Sequence, residues 1–412
     1  MTRMKESGID WIGQIPEEWE VTKLKYALLI NNGKDYKDIE VEEGGYPVIG
    51  SGGAFARSRN YMYDGDVVLL GRKGTIDKPL FYSGKFWTVD TMFYSTALNG
   101  NNIKFMYYSS LLIPFSYYST ATALPSMTQS DLNNHMLCLP SISEQQKIAD
   151  FLDKKTAQLD KVKALLGEQI QKLKDYRASL IYETVTKGLD TTVPMKDSGI
   201  DWIGQIPEEW EVSKLEQYVD IFGRIGFRGY TTNDIVNEGE GAISYSPSNI
   251  IDYSVIDNNN TYISWSKYDE SPEIQIKTGD VLYVKTGSSY GKAGIVNKLS
   301  NKATINPQLV VLKPKKNTDS RLINYFLNSS VGKDQSELIV GGSTIPTITQ
   351  ESIKKMIFPK MSFEEQQKIA DFLDNKTIQI DKLIQIKNQQ IENINKQRQT
   401  LIYDYVTGKR RV

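Results

Sequence analysis

One cysteine, Cys138, and one histidine, His135, are all that 412 residues carry of either type. A lone cysteine excludes an intramolecular disulfide and fits a reducing compartment. A zinc site needs three or four N, S or O ligands, so a single His and a single Cys exclude most of the known sets. Any Ser-His-Asp triad has to run through His135. The chain also lacks an uncharged run of about 18 apolar residues, the length a membrane-spanning helix requires. Met1 to Asp10 is polar, with no apolar stretch and no cleavage site, so the expectation is a soluble, cytoplasmic protein without a leader. An excess of charge is missing too: 49 Lys and Arg stand against 50 Asp and Glu, a net of −1. Neutrality does not exclude nucleic acid, because a sum says nothing about where the charges lie. At 40% hydrophobic residues the chain can bury cores, and its length points to two or three domains.

What is present is repetition. Met4 to Tyr26 (MKESGIDWIGQIPEEWEVTKLKY) and Met195 to Gln217 (MKDSGIDWIGQIPEEWEVSKLEQ) are identical at 19 of 23 positions. Ser143 to Lys161 (SEQQKIADFLDKKTAQLDK) and Glu364 to Lys382 (EEQQKIADFLDNKTIQIDK) match at 15 of 19. Between these repeats, Ala27 to Ile142 and Tyr218 to Met361 are almost unrelated, which suggests a fixed frame carrying two exchangeable modules.

The second repeat opens a helical pattern. From Glu144 to about Lys187, Ile148, Leu152, Leu159, Val162, Leu166, Leu173, Tyr176 and Leu180 fall at heptad spacing. The later copy has Leu373, Ile380, Leu383, Ile394 and Leu401, with Ile384 and Ile391 on its flank. Neither copy contains proline, so each can run for about 40 residues, roughly 60 Å. Two such stripes can cover each other as an antiparallel coiled coil; the alternative is a helix hairpin folded onto each neighbouring module. Pro140 and Pro359 precede the helices and are expected to break the strands before them.

The modules read as β-rich, with short apolar runs cut by turn signals such as Asn32-Gly33, Asp64-Gly65, Gly52-Gly53, Asn99-Gly100 and Gly341-Gly342. One pattern occurs in both: Asp64 to Gly74 (DGDVVLLGRKG) and Lys277 to Gly287 (KTGDVLYVKTG), a turn, a buried strand and a polar glycine loop. Short helices are expected near Ile103 to Ser110 and Ser320 to Asn328.

Chemistry is harder to find. Gly287 to Ala293 (GSSYGKA) imitates a phosphate-binding loop, but it is one residue short and has Ala293 where magnesium needs a hydroxyl. Asn306-Pro307-Gln308-Leu309 lacks the second proline and the aromatic of an amino-methyltransferase motif. His135 and Cys138 have no further ligands beside them. No catalytic centre is expected. Basic residues are more telling. Arg57 to Lys85 holds six against three acids, and Lys285 to Arg321 holds eight against Asp319 alone. Phosphates call for Lys and Arg, and base edges for polar loops beside them. The candidate DNA contacts are therefore Arg57, Arg59, Arg72 and Lys73 in the first module. In the second they are Arg224, Arg228, Lys285, Thr286, Ser289, Tyr290 and Lys292. Ordinary solvated loops remain the alternative for any one of them.

The duplicated SGIDWIGQIPEEWEV segment, the EQQKIADFLD helix starts and the two variable modules together resemble the specificity subunit of type I restriction-modification enzymes, over essentially the whole chain. The resemblance implies an α+β protein. Two β-rich target recognition domains in pseudo-twofold repeat would be joined by two long helices in an antiparallel coiled coil. The segments would be 1-142, a first recognition domain; 143-190, a first spacer helix; 191-361, a second recognition domain; and 362-412, a second spacer helix. It implies a non-catalytic subunit that reads a bipartite, asymmetric sequence in double-stranded DNA, with two methyltransferase subunits and restriction/translocase subunits as partners. No cofactor is then expected in this chain, and S-adenosylmethionine, ATP and Mg belong to the partners. Arg228, Lys285, Thr286 and Ser289 match features that recur in such domains, whereas the first module departs from them. Two heads on a rod of about 60 Å could contact DNA blocks one turn (~34 Å) or more apart. A standalone two-headed DNA-binding regulator and a coiled-coil scaffold without DNA affinity are the competing readings.

Overall fold

The computed structural model describes residues 3–118, 125–224, 226, 229–341 and 345–412. The chain forms two compact units, Met1–Gly167 with Asn388–Val412, and Glu168–Lys387. These units cut across the four segments drawn from the sequence, because each long helix gives one half to each unit.

The long helices span Ile142–Lys187 and Phe363–Val406. Each starts on a serine whose hydroxyl accepts a first-turn amide: Ser141 from Glu144 N (3.3 Å) and Ser362 from Glu365 N (3.2 Å). Both copies are followed by a left-handed glycine, Gly188 (φ 76°) and Gly408 (φ 72°), the residue that can end a helix in this conformation without strain. Within the first unit Phe151 packs on Tyr405 and Asp160 lies 3.8 Å from Arg398. Lys163 donates to Asn395 at 3.2 Å. Within the second, Lys387 donates to Gln169 at 2.6 Å and Arg177 pairs with Asp381 at 3.0 Å. Rising numbers on one helix meet falling numbers on the other, so the pairing is antiparallel in both units.

The seam differs in detail from the sequence reading. Val162, Tyr176 and Leu383 are exposed. The second row of the stripe consists instead of Thr156, Ile170, Arg177 and Thr184 on the first helix. On the second it is Thr377, Ile384, Ile391 and Arg398. Polar residues hold seam positions here, so the apolar count alone misplaced the row.

In the first unit a seven-stranded sheet runs in the order Leu28–Asn32, Met92–Ala97, Tyr63–Gly71, Leu80–Thr88, Tyr46–Gly50, Gly53–Ser58, Glu40–Val41. Its pairs are antiparallel except Tyr46–Gly50 with Leu80–Thr88, where Val48 faces Trp87. Asp64-Gly65, expected as a turn, lies inside the strand Tyr63–Gly71. The second unit has the same plan with one break. The position of Leu80–Thr88 is taken by two strands, Ala293–Ile295 and Ala303–Ile305, so the sheet divides into six and four strands. An added hairpin, Ile250–Ile251 with Ser254–Val255, turns at Asp252 and Tyr253, both left-handed. The expected short helices are present at Ile103–Ser110 and Ser320–Asn328.

The near-identical repeats form the frame that docks each module. Gln14–Pro16 pairs with Met4–Glu6, and Gln205–Pro207 with Met195–Asp197. Glu20–Lys23 pairs with Met136–Leu139, and Glu211–Lys214 with Ile357–Lys360. Pro359 therefore does not break its strand: it pairs with Val212 in a two-stranded sheet, where a missing N–H can face outward. Trp19 is buried with Ile148, Leu152, Ile402 and Val406, and Trp210 with Ile181, Val185, Ile369 and Leu373. Burying an aliphatic side chain of this kind contributes about 2 kcal/mol. Side-chain bonds add orientation. Tyr108 Oη donates to Asp153 at 2.8 Å and lies 3.1 Å from Thr156 Oγ1. Tyr325 Oη donates to Asp374 at 2.7 Å and lies 3.1 Å from Thr377 Oγ1.

Candidate nucleic-acid interface

Each module carries one glycine loop at the end of a buried strand, and both loops are held by the same backbone bonds. After the strand Tyr63–Gly71 come Arg72, Lys73 and Gly74; after Val281–Val284 come Lys285, Thr286 and Gly287. Arg72 N donates to Thr91 O (2.8 Å), and Lys285 N to Gln308 O (2.9 Å). Gly74 N donates to Pro125 O (2.9 Å), and Gly287 N to Pro346 O (3.1 Å). Met127 N returns a bond to Arg72 O (2.9 Å), and Ile348 N to Lys285 O (2.8 Å). Bridges pair Lys73 with Ser126 and Thr286 with Thr347. Gly74 (φ 80°) and Gly287 (φ 101°) occupy the region that side chains with a Cβ rarely adopt.

The clamping segments were missed in the sequence reading: Pro125-Ser126-Met127-Thr128-Gln129 and Pro346-Thr347-Ile348-Thr349-Gln350. Their signal was available, since they lie 221 residues apart, the offset that also separates the long-helix repeats. Thr128 and Thr349 cap the helices that follow, accepting from Asp131 N (3.1 Å) and Ser352 N (3.0 Å). Gln129 Nε2 donates to Ile30 O at 2.7 Å. In the second unit Gln350 reaches the same strand end, its amide nitrogen 2.7 Å from where a Cβ on Gly223 would lie.

Around the first loop, Arg72, Lys73, Asn32, Ser126, Thr128 and Gln129 line a cleft of about 370 Å³. Cationic and amide side chains thus share one concave surface. Arg72 is half-buried, its guanidinium 3.3 Å from Asp90 O and 5.8 Å from the centre of the Phe93 ring. Arg57 and Arg59 are not in this group. The Arg57 guanidinium donates to Gly44 O and Gly45 O, and Arg59 donates to Asp38 O at 3.1 Å, so both brace the turns of the outer strands.

In the second unit Ser289, Tyr290 and Lys292 line a cleft of about 590 Å³ with Lys333, Asp252 and Glu337. Lys285 and Thr286 lie outside it. Lys285 is partly buried, and this desolvation holds its ammonium below the usual lysine range. Arg224 is a framework residue. It is 5% exposed, its guanidinium donates to Ile305 O (3.2 Å) and Thr304 Oγ1 (3.3 Å), and it lies over the Tyr230 ring. Arg228 lies outside the described residues. Part of the basic run after Lys285 is also committed elsewhere. Lys313 pairs with Asp280, Lys315 with Asp220, and Arg321 with Asp319, Asp371 and Asp374. Apart from Asp319, the acids that neutralise this part of the run are distant in sequence.

His135 is buried among Trp11, Tyr118 and the helix end at Val406, with Tyr118 Oη 3.0 Å from Nδ1. Burial pulls its pKa down to about 4. Among the described residues no cluster of His, Cys, Asp and Glu is placed to hold a metal ion. Among them, too, no helix is long and apolar enough to cross a membrane.

The family model for the type I restriction modification DNA specificity domain matches residues 16–173 and 207–396. The chain is 24% identical to the type I restriction enzyme MjaVIII specificity subunit of Methanocaldococcus jannaschii, over 97% of this chain and 94% of that subunit. It is 21% identical to the EcoBI specificity subunit of Escherichia coli, over 98% and 89%. Among solved structures, a chain from a type I R-M system, described for its complex assembly and conformational transition, superposes with a TM-score of 0.73 at 16% identity. The match covers 96% of this chain and 99% of that one. The HsdS subunit from Thermoanaerobacter tengcongensis matches with a TM-score of 0.52 at 16% identity, over 96% and 98%.

Proposed function

The chain belongs to the type I restriction modification DNA specificity family, and we propose that each of its two modules reads one block of a bipartite, asymmetric DNA target. It is the non-catalytic DNA-recognition subunit of a type I restriction-modification complex. The observation that carries the reading is the duplicated loop. Arg72-Lys73-Gly74 and Lys285-Thr286-Gly287 sit on matching backbone bonds yet present different side chains. One scaffold with two chemistries suits two different half-sites, since base edges are distinguished by the donors and acceptors offered to them. We place Arg72 and Lys73 in one module, and Lys285, Thr286, Ser289, Tyr290 and Lys292 in the other, at or beside the DNA. Arg57, Arg59 and Arg224 support the fold.

Two methyltransferase subunits and restriction/translocase subunits complete the assembly in this proposal. S-adenosylmethionine, ATP and Mg are bound there, and the complex works in the cytoplasm. The test is to replace residues 27–142 by the corresponding module of another family member and to sequence the methylome of cells expressing it with its partners. One half of the methylated motif changes and the other stays. A motif altered in both halves, or in neither, contradicts the proposal.

A further inference from the structure

In the first unit the hairpin Tyr46–Gly50 with Gly53–Ser58 slips out of step at one residue. Val48 faces Ala56 and Ile49 faces Ala54, so Phe55 has no partner across the pair and is the extra residue of a β-bulge. An exposed apolar side chain alone says little. A bulge, however, breaks the alternation of a strand and re-aims one side chain. Here it turns a phenyl ring outward, and Phe55 is 58% exposed. The ring is held from behind. It meets the Tyr36 ring edge-on, with 5.5 Å between centres, and it lies over Gly50, where a Cβ would come within 3.2 Å of it. Arg57, two residues on, ties the same strand to Gly44 O and Gly45 O. The second module has no counterpart: its equivalent pair, Gly241–Tyr245 with Thr261–Ser264, stays in register throughout.

Hydrogen bonds connect this hairpin to the Arg72 loop. Arg72 N and Lys73 N donate to Thr91 O (2.8 and 3.2 Å), and Lys34 N donates to Thr88 O (3.0 Å). Thr88 Oγ1 in turn donates to Ile49 O (2.8 Å), at the base of the hairpin. Asn32, which lines the cleft with Arg72 and Lys73, is four residues from Tyr36. Four residues span at most about 14 Å, or about four base-pair steps, so the two rings lie within reach of the same stretch of duplex. Among the described residues Lys34, Arg72 and Lys73 are in no ion pair, which leaves their charge for phosphates and favours DNA over a protein surface as what covers the ring.

We propose that Phe55 is a specificity-determining residue of the first module, making apolar contact with the 5-methyl group of a thymine. The proposal rests on the DNA-reading role assigned above to the Arg72 loop. A phenyl ring offers no hydrogen bond to a base edge, and the thymine methyl is the apolar mark that the major groove presents.

The test is anisotropy titration of the assembled complex with its cognate duplex. Thymines in the first module's half-site, assigned by the module exchange, are replaced in turn by uracil, which removes the methyl group alone. For the wild type, uracil at one position weakens binding about fourfold, the value of one buried methyl. Phe55→Ala binds the thymine duplex about tenfold more weakly, as expected for covering the exposed half of the ring, and no longer distinguishes uracil from thymine. Its salt slope stays that of the wild type, because no phosphate contact is lost. Equal affinity of the wild type for both duplexes, or a half-site without thymine, overturns the proposal whether or not the variant folds. A loss in Phe55→Ala that is the same on both duplexes overturns it too. So does a variant that sheds its methyltransferase subunits in the absence of DNA, which makes the ring a protein contact. Arg72→Ala, measured in parallel, separates the two assignments: a defect there with none in Phe55→Ala refutes the ring alone, and no defect in either refutes the role of the loop as well.

Discussion

Removing Lys285 or Arg72 tests whether DNA affinity runs through the strand-end loops. Each phosphate neutralised by a cation contributes about 0.9 to the slope of log affinity against log salt. Between roughly 50 and 200 mM salt, one lost contact changes the ratio of wild-type to variant affinity by a factor of about 3.5. Lys285→Ala and Arg72→Ala are therefore most defective at low salt and converge on the wild type as salt rises. Arg57→Ala serves as the control. Its guanidinium holds the carbonyls of Gly44 and Gly45, so it loses stability, about 1 kcal/mol, with an unchanged slope. The assay is anisotropy titration of a cognate duplex with the assembled complex across the salt range. A pH arm isolates Lys285. Burial lowers its pKa, so its contribution to affinity fades at a lower pH than that of an ordinary lysine, and Lys285→Arg removes this fade. An unchanged slope in both loop variants, together with a slope reduced by about one in Arg57→Ala, would refute the assignment.

Other predictions concern the frame. Tyr325→Phe removes the bond to Asp374, which keeps its Arg321 partner, so urea unfolding shows a loss of about 1–2 kcal/mol. Tyr108→Phe behaves alike against Asp153, and a loss below about 0.3 kcal/mol in both would show that the hydroxyls do not dock the modules. Inserting one heptad between Lys161 and Tyr176, matched by one between Lys382 and Gln397 on the facing helix, lengthens the unread spacer of the methylated motif and preserves both half-sites; an unchanged spacer counts against the rod. His135 is neutral when folded and gains a proton when unfolded below about pH 6.5. Stability therefore falls as pH drops from there toward 4, by up to about 3 kcal/mol. His135→Gln flattens that part of the stability profile, and an equally steep decline in the variant would assign it to carboxylates instead.

The helices, their antiparallel pairing and the short helices at Ile103–Ser110 and Ser320–Asn328 were legible because periodicity and near-identical repeats report directly on packing. The seam was less legible: Arg177 and Arg398 occupy it by pairing with Asp381 and Asp160, and a hydrophobic count passes over them. Candidate contacts divided by environment. Arg224 reads as a surface cation among glycines, yet it ties the strand end at Gly223 to Thr304 and Ile305, some 80 residues away. Nothing local in sequence tells such an arginine from Arg72. The clamp at Pro125 and Pro346 was visible at the 221-residue offset, but five residues of weak similarity have meaning only beside the loop they hold.

The same contrast explains why the frame is nearly invariant within this chain while the modules diverge. Docking is carried by side chains: Trp19 on Glu144, Trp210 on Glu365, Tyr108 on Asp153 and Tyr325 on Asp374. Each such bond names both partners, so a change on one side leaves a polar group unpaired at a cost of about 1–3 kcal/mol. The loops proposed to read DNA are held by backbone groups. Gly74 N to Pro125 O and Gly287 N to Pro346 O need a glycine for its conformation and a carbonyl to accept, and they do not constrain the side chains of Arg72 and Lys73 or of Lys285 and Thr286. A loop fixed in this way can change what it presents to DNA without changing where it sits. Exchange of Arg72-Lys73 for Lys-Thr should therefore alter target preference in the first module while lowering its unfolding free energy by no more than about 1 kcal/mol, the scale of the Arg72 contacts with Asp90 O and the Phe93 ring.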